Sequence, residues 1–436
     1  MKKVKRRSYA ALLLAVALLA GMGLYVWRFA VQGRDWVNFR ANQNVFDSGT
    51  LAAGTVLDRE GVMLADVAEG LRIWSEDETT RISCLHAVGD AGGNIGTGAL
   101  TAFADRLTGY SVLTGAGGGS GELKLSIDAA LNNTAWNALA GRKGAVLLSD
   151  YTTGEVLCMV SSPSYDPVTG FDIGDDYYDG VYLNRCLSAS YTPGSVFKLV
   201  TAAAAIEHID ALNRRVFHCE GSVTVDGNEI VCTAAHGDQT IEQALANSCN
   251  CAFAELSLEL GGQRLAQYAE DLGLTRRLSL SGVGTLPGHF EAGAAGSAAL
   301  AWSGIGQYTD LVCPAGLLRF VGAVANGGVA CGPVLLAGER ASTERILDAA
   351  TADTLKAMMS YNVAWSYGGW NFPGLKLCAK SGTAEIGDGT SHAWFTGFLD
   401  DPDHPYAFVV VIEHGGGGLA NAGPVANALL QEAVKP

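Results

Sequence analysis

Three short clusters of hydroxyl, amine and amide side chains could do chemistry in this chain. In the first, Tyr191-Thr192-Pro193-Gly194-Ser195-Val196-Phe197-Lys198, a Pro-Gly turn leads into an apolar run from Leu199 to Ile206. Pro and Gly ahead of such a run mark a helix start, with Ser195 in its first turn. Lys198 follows three residues later, so both side chains leave one face of the helix. The helix is apolar nearly all round, which places it inside a large domain. A lysine stripped of its hydration there favours the neutral form and can act as a general base. A serine beside that base becomes a nucleophile.

The second cluster is Ser248-Cys249-Asn250, where a hydroxyl could relay a proton and a carboxamide could bind a peptide backbone. Facing one cleft requires a loop between helices at this point. The third is Lys380-Ser381-Gly382-Thr383 at a strand end, where the amine and two hydroxyls would make a pocket for a carboxylate. Gly382 would let substrate or another backbone approach the strand closely. Taken singly, each cluster is ordinary: a helix-start serine, a helix cap, a charged strand end.

The elements around them supply a frame. Leu123 to Ile127 reads as strand, with Asp128 capping a helix that runs to Ala140. Ala145 to Leu148 and Val156 to Ser161 read as a hairpin about Thr153-Gly154. A Gly/Asp/Tyr-rich loop, 170–182, leads to the Ser195 helix, and the chain from about 200 to 360 is mainly helical. Thr240 to Leu260 and Leu311 to Asn326 are its clearest helices. Strands return at Leu375 to Thr383, Ala393 to Leu399 and Tyr406 to Glu413, before a closing helix from Ala420 to Ala433. Strands at both ends with helices between predict an α+β domain: one sheet with a helical cluster inserted on one side. Upstream, Gly54 to Ala65 reads as two short strands about Asp58-Arg59-Glu60-Gly61, and Gly115 to Gly121 as a flexible joint.

The N-terminus differs from the rest. Residues 1–34 carry seven Lys/Arg and no Asp/Glu, whereas the remainder holds 22 basic against 44 acidic residues. An acidic body argues against nucleic acid as a ligand. Lys2, Lys3, Lys5, Arg6 and Arg7 precede Ser8 to Trp27, a stretch without charge. Its length suits one membrane span with the basic end inside and Trp27 at the far interface. A cleaved signal peptide is the rival, but the apolar stretch is longer than a usual signal core and has no clear small-x-small site near its end. The expected layout is therefore a basic tail and anchor at 1–34, a small membrane-proximal module at 35–120 and a catalytic domain at 121–436. The body lies outside the cytoplasm, where its cysteines meet conditions that allow disulfides. Cys219 and Cys232 flank a hairpin and precede His236, an arrangement that suits either a disulfide or a metal. One His and no Cys-x-x-Cys speak against zinc.

Ser-x-x-Lys, Ser-x-Asn and Lys-Ser/Thr-Gly in this order form the motif set of penicillin-binding proteins and serine β-lactamases. With them, the sequence resembles the class B penicillin-binding proteins, in particular PbpA/SpoVD-like monofunctional transpeptidases. The likeness extends to Gly54–Ala65 and to Gly144–Pro167 with its Ser161-Ser162-Pro163-Ser164-Tyr165-Asp166-Pro167. It also takes in Gly304-Ile305-Gly306-Gln307 and His392-Ala393-Trp394-Phe395-Thr396-Gly397-Phe398. It covers residues 120–436 well and 35–120 thinly.

The resemblance implies a penicillin-binding/serine β-lactamase-like fold and a membrane-anchored peptidoglycan D,D-transpeptidase, acylated by β-lactams. Ser195 would attack the penultimate D-Ala carbonyl of a D-Ala-D-Ala stem, with Lys198 taking its proton. Ser248 would pass a proton to the leaving D-Ala, and Asn250 would hold the donor peptide. Lys380, Ser381 and Thr383 would bind the terminal carboxylate, and the Ser195 and Thr383 N–H groups would form the oxyanion hole. No metal or organic cofactor is implied. A glycan polymerase of the shape-elongation-division-sporulation family would be the membrane partner, although the module before residue 120 is short for that docking role. A D,D-carboxypeptidase or β-lactamase would share the acylation step but use water as acceptor. A β-lactam sensor would add further spans or an output domain, and a degenerate scaffold would have lost Ser195, Lys198 or Lys380, all of which are present.

Overall fold

The computed structural model describes residues 2–37, 54–69, 71–109 and 121–435. Most of the joint expected at Gly115–Gly121 lies outside the described residues. The first element, α1 (Lys2–Val37), is a helix long and apolar enough over Lys3–Gly33 to cross a membrane. It fits a membrane anchor.

The expected sheet is formed. Helix α2 (Ala129–Leu139) starts at Asp128, whose carboxylate accepts from the Ala130 and Leu131 N–H groups. Strands β1 (Gly144–Asp150) and β2 (Val156–Ser162) follow as a hairpin. The helical insertion includes α3 (Lys198–His208), α4 (Ile241–Ala246), α5 (Asn250–Leu260) and α6 (Pro314–Ala325). The chain then lays down β3 (Leu377–Glu385), β4 (Ser391–Leu399) and β5 (Tyr406–Ile412), and closes with α7 (Gly418–Ala433). The sheet is antiparallel throughout, in the order β3-β4-β5-β1-β2.

Both faces of this sheet are covered, which is why β1, β2 and β5 read as largely apolar runs. Phe408, Val410 and Ile412 of β5 pack with Leu131 and Leu139 of α2 and with Val425 and Leu429 of α7. The alternate residues, Val409 and Val411, belong to a second core with Leu317 and Val321 of α6 and Leu199 and Val200 of α3. The period-2 alternation of strand side chains thus divides the domain into two apolar layers with the sheet between them.

Two local features differ from the sequence reading. Ser195 lies in a 3₁₀ turn, Gly194–Phe197, and the α-helix proper begins at Lys198. The stretch Thr240–Leu260 is two helices, because Ser248 adopts a left-handed backbone with φ +52°. That conformation ends a helix for any residue with a Cβ.

A second sheet, within the module expected to be membrane-proximal, orders its strands as Leu71–Trp74, Met63–Ala68, Thr55–Leu57 and Glu122–Lys124. Its last strand comes from beyond residue 120, so the strand read at Leu123–Ile127 completes this module rather than the catalytic sheet. Arg81 clamps the module to the catalytic domain through a bidentate pair with Asp166, both contacts at 2.8 Å. Planar guanidinium matches carboxylate in this way.

Candidate active site

The Ser195 turn is held from three sides. Gly194 has φ +54°, and a Cβ there would stand 2.6 Å from the Thr383 carbonyl oxygen and 2.9 Å from Ala384 Cα. Only glycine lets this turn press against β3. The Gly194 N–H donates to the Gly306 carbonyl at 2.8 Å, and Trp394 Nε1 donates to the Thr192 carbonyl at 2.9 Å. Below, the Tyr191 hydroxyl donates to Glu413 at 2.8 Å, and Arg185 Nε reaches the same carboxylate oxygen at 2.8 Å.

Lys198, at the start of α3, is fully buried, while Ser195 is partly exposed. Its Nζ lies 3.2 Å from Ser195 Oγ, 3.2 Å from Ser248 Oγ, 2.7 Å from Asn250 Oδ1 and 2.5 Å from the Ser248 carbonyl oxygen. Lys380 reaches the cluster from β3. Its Nζ lies 3.0 Å from Ser248 Oγ and 2.7 Å from the Ser381 carbonyl, and it too is fully buried. One hydroxyl, that of Ser248, therefore sits between two buried amines.

Neither amine has an Asp or Glu acting on it among the described residues. Burial pulls Lys198 down to about 8. Burial, and then the positive charge of Lys198, hold Lys380 well below the ordinary lysine value. Two ammonium groups against one hydroxyl, with no anion between them, disfavour the doubly charged state. A neutral amine beside Ser195 is what nucleophile activation requires.

The structure brings all eight sequence-predicted residues to one place. Gly382 is buried against the Ser195 turn: a Cβ would meet the Pro193 carbonyl and Val196 Cγ1, both at 3.0 Å. Thr383 is exposed at the rim, where its Oγ1 accepts from the Gly418 N–H at 3.3 Å. Asn250 is more committed than its sequence suggests. Its oxygen accepts from Lys198, and its Nδ2 donates to the Val231 carbonyl at 2.7 Å.

Two supporting residues were not singled out from sequence. The Tyr367 hydroxyl accepts from the Ser381 N–H at 2.9 Å and lies 3.2 Å from Ser381 Oγ. Phe253 of α5 lies under the Lys198 ammonium, 5.7 Å from ring centroid to Nζ. A lone tyrosine far from the motif carries no periodic signal. All ten cysteines are free thiols, so the disulfide weighed for Cys219 and Cys232 is not formed.

The family described as penicillin binding protein transpeptidase domain matches residues 144–431. The chain belongs to that family. The peptidoglycan D,D-transpeptidase PbpA of Mycobacterium tuberculosis is 26% identical over 386 residues, covering 76% of each protein. The structure of penicillin-binding protein A from M. tuberculosis as a ceftriaxone acyl-enzyme superposes with a TM-score of 0.73 at 22% identity, covering 88% of this chain and 98% of that one. The D,D-transpeptidase domain of a peptidoglycan glycosyltransferase from Eggerthella lenta gives 0.75 at 25% identity, with 88% and 98% covered. The fold is that of the penicillin-binding transpeptidases, with its helical cluster on one face of the antiparallel sheet.

Proposed function

We propose that the chain is a peptidoglycan D,D-transpeptidase working through a Ser195 acyl-enzyme. The observation that carries this reading is the position of Lys198 Nζ, within 3.2 Å of both Ser195 Oγ and Ser248 Oγ. The neutral amine takes the Ser195 proton as Oγ attacks the penultimate D-Ala carbonyl. Ser248, between the two lysines, returns a proton to the departing D-Ala nitrogen as the peptide C–N bond breaks. An amine from a second stem then attacks the ester, gives up a proton through the same relay and restores Ser195. The terminal carboxylate of the donor stem binds at Lys380, Ser381 and Thr383. Its charge stabilises an ammonium on Lys380, which in turn favours the neutral form of Lys198. The N–H groups of Ser195 and Thr383 hold the oxyanion, an interaction worth about 3–4 kcal/mol per donor in such sites. The glycine contacts of Gly194 and Gly382 support this pairing, because they draw the two backbones together.

The membrane-proximal module, read as residues 35–120 and completed by the strand Glu122–Lys124, joins the anchor to the rest of the stretch read as a catalytic domain, 121–436. Lys2, Lys3, Lys5, Arg6 and Arg7 face the cytoplasm, and the catalytic domain faces the wall. Such placement suits a partner polymerase that supplies nascent glycan at the outer membrane surface. The test is fluorescent-penicillin labelling of the full chain and of Ser195→Ala. The parent is expected to carry label and the variant none; label on the variant would remove Ser195 as the nucleophile. Donor and acceptor stem peptides, followed by product mass, separate cross-linking from hydrolysis, and a hydrolysed product alone would make the enzyme a carboxypeptidase.

A further inference from the structure

Directly behind the Ser248–Asn250 loop lies a group of soft ligands that the acyl-transfer chemistry does not use. Cys219 ends the strand Phe217–Cys219, Cys232 follows the hairpin of Ser222–Val225 and Asn228–Val231, and His236 precedes the strand Gly237–Gln239. Cys249 comes from the catalytic loop itself. One ligand atom from each of these four residues lies within 4.8 Å of every other, and the three cysteines are buried. We propose that Cys219, Cys232, His236 and Cys249 form a zinc site that ties the 217–239 excursion to the loop carrying Ser248 and Asn250.

The spacing suits the ion. Zinc binds thiolate at about 2.3 Å and imidazole at about 2.0–2.1 Å in a tetrahedron, so sulfurs at two corners stand about 3.8 Å apart. Cys232 and Cys249 Sγ are 3.7 Å apart, and Cys219 Sγ is 3.4 Å from His236 Nδ1. Three sulfurs and one imidazole are a set that selects zinc over hard cations such as magnesium or calcium. The surroundings favour a thiolate as well. The N–H groups of Asn250 and Cys251 point at Cys232 Sγ, at 3.0 and 3.3 Å. Hydrogen bonds of this kind orient a ligand sulfur and stabilise its charge.

A disulfide explains less. Cys251 Sγ lies 3.4 Å from Cys232 Sγ, so Cys232 could pair with Cys249 or with Cys251, but not both. Pairing Cys232 with Cys249 leaves Cys219 beside Cys251 and His236 without a role, and pairing it with Cys251 leaves Cys249, Cys219 and His236 unused. Zinc binding uses all four groups: three thiol protons leave to solvent, and one Zn²⁺ is held by three thiolates and a neutral imidazole. The ion would brace Cys249 between Ser248 and Asn250. Local spacing along the chain shows no Cys-x-x-Cys. Here the ligands come together only after the hairpin folds back.

The test reads metal and thiols, and so stands apart from whether Ser195 transpeptidates. The full chain, purified in detergent with a non-thiol reductant, is expected to retain about one zinc per molecule after dialysis. Cobalt(II) in its place is expected to give the intense visible bands of a tetrahedral thiolate site. Zinc should slow alkylation of Cys219, Cys232 and Cys249 by at least about tenfold relative to chelator-treated protein, with Cys158 and Cys186 unaffected. Cys219→Ser should weaken zinc binding by roughly a hundredfold. If that variant fails to fold, alkylation of the parent chain decides the matter alone. A reduced chain that takes up no zinc, zinc that leaves those three thiols unprotected, or a disulfide from Cys232 in the protein as isolated would each overturn the proposal.

Discussion

Lys380 and Ser248 face each other at 3.0 Å, yet the backbones carrying them are held in opposite ways. Lys380 sits inside a nine-residue antiparallel pairing, with Leu377 opposite Leu399 at one end and Glu385 opposite Ser391 at the other. Every residue of that ladder fixes its neighbours, so the side chain's position follows from register. Ser248 has no ladder. It is a left-handed residue between two helices, secured by the Ser248 N–H to the Leu245 carbonyl, the Cys249 N–H to the Ala244 carbonyl, and Lys198 on its own carbonyl. One wall of the site is fixed by a sheet, and the other depends on the side chains it presents to the chemistry. The lesson is that Lys198, the proposed base, is also a brace: one acceptor from the Ser195 turn and three from the Ser248–Asn250 loop converge on one amine.

Removing that amine should therefore cost most. For Lys198→Ala, the second-order rate of penicillin acylation is expected to fall by about a thousandfold or more, the loss of the general base combined with a loosened Ser248 loop. Stopped-flow acylation of parent and variant measures it. If the loop is braced as described, proteolysis near 246–251 should also quicken. A slow variant with an unchanged cleavage pattern would leave Lys198 a base only.

Gly194 tests the sheet-side wall. Alanine there puts a Cβ 2.6 Å from the Thr383 oxygen at a positive φ, so the Ser195 turn must move off β3. A shift of about 1 Å at a reacting atom costs roughly a hundredfold in rate. Gly227→Ala is the matched control: it also has positive φ, but nothing stands within 4 Å of its Cβ. It is expected to lower stability by about 1 kcal/mol and leave acylation as it was. Equal acylation losses in the two variants would show that backbone strain, not the contact with β3, is what matters.

The pH profile asks which form of Lys198 works. Burial brings this amine down to about 8, so the neutral form is scarce at pH 6 and abundant at pH 9. Acylation is expected to rise about tenfold per pH unit below about 8 and to level off above it. Stability moves in the same sense. Between about 8 and the ordinary value of 10.5, the unfolded chain holds a proton that the folded one does not, so raising pH through this window stabilises the fold. A rate that falls across the same range would mean that the ammonium is the working form.

The contrast between the two walls also explains what could be read from sequence. Strands β1, β2 and β5 were legible because both of their faces are buried, leaving runs such as Phe408–Ile412 with no polar break. The Asp128 cap and the positions of Lys380 to Thr383 follow from the same local rules. Ser248 was legible as chemistry but not as geometry, since a serine gives no sign of a left-handed backbone. Asn250 was assigned to substrate, yet its amide is engaged by Val231, a residue brought near only by the hairpin. Tyr367, and the approach of Cys249 to Cys219, Cys232 and His236, were hidden for the same reason. Their partners are distant in the chain and meet through turns, whereas periodicity reports only a residue's own element.

Tyr367→Phe should have the smallest effect and is the sharpest test of the sheet-side wall. The hydroxyl is buried and takes the Ser381 N–H, beside the carboxylate pocket rather than at Ser195. Phenylalanine keeps the ring against Phe395 but leaves that N–H without its partner. A buried unpaired N–H costs about 1–3 kcal/mol, part of which the strand recovers by shifting Ser381 toward another acceptor. Because the role proposed for Ser381 is to bind the carboxylate and not the reacting carbon, the loss should appear as a KM for stem peptide raised about five- to tenfold, with kcat within about twofold. Steady-state kinetics at pH 9, where Lys198 is neutral, removes the base from the comparison. A fall in kcat with KM unchanged would place Tyr367 in the support of the oxyanion hole through Thr383, and the two walls would then meet closer to the chemistry than the hydrogen bonds to Ser381 imply.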